Sequence, residues 1–163
     1  PIPNPLSAIF SVDLGESVPY GTVAQGCTYQ YPPVLDHVSG RLVGGQGLPL
    51  TFFGSLIRVT VASAPAGATD VTLVVRDTPS SNPCGTNTAF GKLLLGAGTI
   101  FYNETKPAPP PVAVFPIGIP CKLELVDQVA YAQAFFKNAS GDIIAATNGI
   151  RFVVGKGTLS CPP

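Results

Sequence analysis

The chain of 163 residues carries 9 Lys plus Arg against 9 Asp plus Glu, is formally neutral, and has only 11% charged residues, where an ordinary soluble domain has about 25%. So few and so balanced charges exclude a nucleic-acid face, which needs a basic stripe, and an electrostatic grip on an anionic membrane. They also leave little electrostatic protection against self-association, so attached glycans or a packed assembly are expected to keep the chain soluble.

The length suits one domain, 1–163, with a sizeable core. In chain order, Pro1-Ile2-Pro3-Asn4-Pro5 comes first. Alternating prolines hold the backbone extended and cannot start a helix, so residues 1–6 read as an extended arm. A chain that begins at Pro1 and has no Met is expected to be a processed one. The β-like run 7–14 (SAIFSVDL) follows. Arm and run are expected to dock, either on their own domain or as a strand added to the edge of a neighbouring subunit. Pro1, Ile2, Pro3, Leu6, Ile9 and Phe10 would then make the contact.

Further β runs stand at 51–62 (TFFGSLIRVTVA), 71–76 (VTLVVR), 92–95 (KLLL) and 99–102 (TIFY). Residues 105–112 (TKPAPPPV) form a Pro-rich insertion expected to be polyproline II: a spacer, or a recognition or hydroxyproline-type glycosylation segment. Near the C-terminus, 128–137 feeds a turn at Asn138-Ala139-Ser140-Gly141, then 142–147, then Asn148-Gly149, then 150–154. Asn-Gly between β runs can supply the positive φ angles of a type I′ turn, which predicts a hairpin there and a three-stranded meander overall. With 18 Gly and 18 Pro punctuating the chain, only the stretch around 122–137 keeps a helical apolar period free of them, and there Val126, Val129, Tyr131, Phe135 and Phe136 favour strand. The pattern predicts an all-β fold, an antiparallel β-sandwich, immunoglobulin-like in the broad sense. The longest nearly uncharged apolar stretch, 93–102, falls well short of the roughly 20 residues of a membrane-spanning helix.

Four cysteines, Cys27, Cys84, Cys121 and Cys161, are even in number and far apart, which predicts two disulfides and an oxidising compartment. Metal sites usually show short C-x-x-C pairs, and there are none. Of three connectivities, Cys27–Cys84 with Cys121–Cys161 closes one loop in each half of the chain. Two N-x-[ST] sequons, Asn103-Glu104-Thr105 and Asn138-Ala139-Ser140, lie beside turn-forming residues and predict N-glycosylation of a secreted protein, extracellular or at the cell surface.

Catalytic patterns are missing. The only histidine is His37, and the neighbouring Asp36 would point to the opposite face of a strand. No G-x-S-x-G elbow, phosphate loop or metal-ligand spacing occurs, so neither enzyme activity, metal nor cofactor is expected. Asp70 and Asp77 flank the run 71–76 and read as solvated strand ends. Tyr20, Tyr29 and Tyr31 bracket Cys27, where they would either pack on its bridge or offer rings to a saccharide or protein. Together these features predict an extracellular structural glycoprotein that associates with copies of itself, as a filament or surface-coat subunit, by strand addition or edge docking. The alternative is a secreted monomeric carbohydrate-binding or adhesion module, with extracellular polysaccharide as its partner.

Overall fold

The computed structural model describes residues 16–21, 27, 35–36, 56–108, 112–120 and 122–155. They are organised as β1 (Glu16–Tyr20), β2 (Leu35–Asp36), β3 (Leu56–Ala62), β4 (Asp70–Arg76), β5 (Thr86–Thr88), β6 (Gly91–Leu93), β7 (Ile100–Pro107), β8 (Val112–Gly118), β9 (Val129–Lys137) and β10 (Ile143–Val153). A single 3-10 turn at Leu123–Leu125 is the one helical element among the described residues. The fold is all-β and antiparallel. No helix of the described residues is long and apolar enough to cross a membrane.

Five strands form the larger sheet in the order β1-β10-β9-β4-β7, three form a smaller one, β2-β3-β8, and β5 pairs with β6. Alternation along the strands explains how the two larger sheets meet. Val71, Leu73 and Val75 of β4 oppose Phe136, Ala134 and Ala132 of β9, while Val59 and Val61 of β3 oppose Phe115 and Ala113 of β8. All of them, with Ala145, Ile150 and Phe152 of β10, belong to one buried apolar cluster. Residues between them turn the other way: Arg58 and Val114 of the smaller sheet are exposed.

The larger sheet is covered on its other face as well. There Phe135 and Ala146 join Leu95, packed by Val74, Phe90, Leu93 and Tyr131. The cover is the segment between β4 and β7, which folds back as the β5–β6 hairpin and crosses to Pro79 through a bridge at Leu95. Gln133, fully buried in the middle of β9, ties this cover down. Its Oε1 accepts from the Leu94 amide at 2.8 Å, and its Nε2 donates to the Lys92 carbonyl at 2.7 Å and the Thr147 carbonyl at 2.9 Å. A buried amide with every partner present is stable; the same groups left unpaired are costly.

The Asn148-Gly149 hairpin expected from the sequence does not form. β10 runs straight through it, and neither residue has the positive φ of a type I′ turn. Instead the register with β9 slips between Ala146 and Gly149, so that Thr147 and Asn148 together oppose Ala134. This bulge has a reason in the packing. Ala145 is odd-numbered while Ile150 and Phe152 are even, yet all three enter the same cluster. One inserted residue restores the phase. Thr147 Oγ1 accepts from the Ala134 amide at 3.1 Å, standing in for a ladder carbonyl, and Asn148 Nδ2 donates to the Gly149 carbonyl at 3.0 Å. Gly149 is paired with Tyr20, whose ring lies where a Cβ would stand. The preceding turn is as expected: Gly141 has φ +83°, and Asn138 Oδ1 accepts from the amides of Ser140 and Asp142, each at 3.0 Å.

Other differences concern the prolines. The segment 105–112, expected as polyproline II, begins and ends as sheet: Thr105, Lys106 and Pro107 finish β7, and Val112 starts β8. Residues 109–111 lie outside the described residues. β8 itself is absent from the sequence reading because Pro116 interrupts its β pattern. The strand tolerates Pro116 because, among the described residues, β8 is the outer strand of its sheet and has β3 as its strand partner. β1 is also unanticipated, while the run 7–14 lies outside the described residues.

Replacing Gln133 by Leu would leave the Leu94 amide and two carbonyls buried without partners. Urea unfolding of Gln133→Leu is expected to show a loss of about 2–4 kcal/mol, whereas exposed Lys122→Leu should stay near wild type.

Candidate functional site

A neutral chain with no catalytic pattern directs attention to its surfaces, and above all to the sheet edges. β7 is the last strand of the larger sheet and, among the described residues, has β4 as its only strand partner. Its register, from Asp70 opposite Pro107 to Val75 opposite Tyr102, decides which backbone groups are used. The Ala108 amide donates to the Thr69 carbonyl at 2.8 Å, one step beyond the Asp70–Pro107 pair. In an antiparallel ladder hydrogen-bonded pairs alternate, so Lys106, Glu104 and Tyr102 direct their amides and carbonyls at β4. Asn103 and Thr105 direct theirs outward, and Pro107 has no amide to offer.

Side chains alternate along the same strand. Tyr102 packs on the main apolar cluster. Its hydroxyl donates to Glu104 Oε2, the other oxygen of Glu104 lies 3.9 Å from Lys106 Nζ, and that ammonium sits 5.6 Å from the centre of the Phe115 ring. This polar row closes the rim between the sheets. Burial first, then the hydrogen bond and negative charge of Glu104, pushes the Tyr102 phenol well above the ordinary tyrosine range.

The outward face of β7 reads Phe101, Asn103, Thr105 and Pro107, all exposed. Thr105 Oγ1 and Thr72 Oγ1 share a hydrogen bond of 2.7 Å across the strand pair. The register slips between Val75 and Arg76, so Phe101 is the extra residue of a bulge beside Ile100. Both are exposed, Ile100 at 48% and Phe101 at 55%, the two most exposed large apolar side chains described. Asp77 holds the start of the strand in place: its Oδ1 accepts from the Thr99 amide at 2.9 Å and from Thr78 Oγ1 at 2.8 Å. It is a bracket as well as a solvated strand end.

The sequence-derived sites fall in different places. Cys27 is bonded to Cys84, a link across 57 positions that ties the N-terminal part of the chain to the segment covering the larger sheet. Cys121 and Cys161 lie outside the described residues. Asn103 stands in the middle of β7 and not beside a turn; Asn138 is in the β9–β10 turn, half-buried. The ring of Tyr20 packs edge-on against Tyr131, with centroids 5.5 Å apart, and its hydroxyl donates to the Leu94 carbonyl at 3.3 Å. Tyr29 and Tyr31, His37, and the arm residues Pro1, Ile2, Pro3, Leu6, Ile9 and Phe10 are outside the described residues. Ile100 and Phe101 were visible only as part of a β run. Nothing local marks them as edge residues. No group of three or more His, Cys, Asp or Glu fit to hold a metal exists among the described residues.

No protein-family model matches the chain, and neither a curated protein nor a solved structure matches it.

Because the Tyr102 phenol is raised above 10.0, the folded and unfolded states both hold its proton at neutral pH. As the pH passes the ordinary tyrosine value the unfolded chain ionises first, and stability falls. Tyr102→Phe is expected to lose less stability than wild type between about pH 9 and about pH 11, as read by denaturant unfolding. Tyrosinate absorbance of wild type should show a high-pH step that Tyr102→Phe lacks.

Proposed function

We propose that this protein is a non-enzymatic extracellular structural glycoprotein whose domain is a β-sandwich that self-associates through the open edge of β7. The single observation that carries the reading is the edge itself: outward amides and carbonyls at Asn103 and Thr105, with the exposed Ile100 and Phe101 at one end. The shared apolar cluster of the two larger sheets supports the sandwich, immunoglobulin-like in the broad sense. The Cys27–Cys84 bond and the two sequons support a secretory route.

The occupant of the edge is a second copy of the chain, through its segment 7–14. That segment alternates as a strand does, and it directly precedes β1, the opposite outer strand of the same sheet. A strand donated from the β1 side of one copy to the β7 side of the next joins two different surfaces. Such a head-to-tail contact does not close on itself unless the rotation between copies happens to complete a ring, so it propagates as a filament. Backbone hydrogen bonds would supply register, and apolar side chains would supply affinity. A formal charge of zero removes the long-range repulsion that keeps many secreted domains apart. The bulge at Phe101, the inward Lys106 and the Pro107 ring limit the edge to a short stretch, which keeps its pairing specific.

Light scattering and electron microscopy of protein secreted from eukaryotic cells test this. Wild type is expected to form elongated particles. Removal of residues 1–14, or Ile100→Lys on the edge, is expected to give monomers with an unchanged melting temperature. A monodisperse wild-type monomer at high concentration would overturn the reading, and its retention on a glycan array would establish the carbohydrate-binding alternative.

A further inference from the structure

Phe101, Asn103 and Thr105 are spaced by two along β7 and share its exposed outer face. Asn103 and Thr105 are the first and third positions of a sequon, and the exposed aromatic ring lies one strand step before the acceptor. Exposed apolar residues are common and need no explanation singly. Here the bulge changes that. It makes Phe101 the extra residue between the Val75–Tyr102 and Arg76–Ile100 pairs, and its side chain is 55% exposed.

We infer that Phe101 is the seat of the first sugar of a glycan on Asn103. The proposal rests on the secretory part of the proposed function and not on self-association. Attachment to the nascent chain forms a bond from Asn103 Nδ2 to the anomeric carbon of N-acetylglucosamine. The lipid pyrophosphate of the oligosaccharide donor leaves with the electron pair, and the amide nitrogen loses one proton. Once the strand has formed, the attached sugar projects from the same face as the Phe101 ring, about 7 Å along the strand. One face of a pyranose presents only C–H groups. Their partial positive charge suits the negative face of an aromatic ring, and burying both removes apolar surface from water. The contact lies above the sheet and not in its plane, so the outward amides of Asn103 and Thr105 stay uncovered. A glycan and an added strand can therefore occupy β7 together.

Asn138 has no such seat. It stands in a turn followed by Ala139 and Ser140, and its Oδ1 already serves two backbone amides. The two sequons therefore differ: a glycan on Asn103 stabilises the fold, and one on Asn138 only covers a turn.

The test uses the full chain secreted from eukaryotic cells with Ser140→Ala, which removes the second sequon while keeping both amide bonds to Asn138. Mass spectrometry is expected to find Asn103 occupied. Endoglycosidase trimming to the single innermost sugar should leave the melting temperature unchanged, and full removal should lower it by about 2–4 °C. In Phe101→Ser the same removal should produce no shift, and Phe101→Tyr should restore it. An empty Asn103 in secreted protein, or an equal shift with and without the aromatic ring, would overturn the inference. Particle size measured on the same samples reports separately on self-association.

Discussion

Burial of β9 on both faces is the constraint from which the rest of this structure follows. Ala132, Ala134 and Phe136 enter the main cluster, while Gln133 and Phe135 are buried on the opposite face. A strand with no solvent face requires a layer above and a layer below. The smaller sheet provides the first. The segment between β4 and β7 provides the second, held by the edge-on contact of Phe90 with Phe135 and by the three hydrogen bonds of Gln133. Placing an amide at that centre gives the covering segment a direction that apolar packing alone would leave undefined.

Consequences run outward from this centre. β10 must keep apolar residues inward on both sides of Thr147 and Asn148, so it bulges, and the bulge supplies its own hydrogen bonds. Gly149 then leaves room for the Tyr20 ring, which brings β1 onto the sheet as one outer strand. β4 takes the other side of β9, and β7 follows as the opposite outer strand. The two edges of the larger sheet are thus fixed by packing at its middle. That β7, among the described residues, has a strand partner on one side only is a remote result of how β9 is buried.

Such an edge is ordinarily a hazard, and this one carries several restraints. Lys106 points inward over Phe115, Pro107 withholds an amide, and a bulge at Phe101 ends the regular ladder. Among the described residues, what these restraints leave of the strand is short. A chain with so few charges has little else to control contact with its neighbours, which gives weight to the sequon placed on this strand.

The amino-acid pattern alone determined the all-β class, the positions of β3, β4, β9 and the start of β10, and the turn at Asn138. Those are local properties: β-branched and aromatic runs, two-residue alternation and turn chemistry act within a few positions. Only the tertiary structure decided that Asn148-Gly149 is a bulge, since an Asn-Gly pair serves a turn or a bulge equally well until the phase of Ala145 and Ile150 is set by a common core. It also decided that Pro116 belongs to a strand, that 105–107 extend β7, and that β7 lies at an edge. Strand order depends on which faces are buried against each other, and that information is spread over the whole chain.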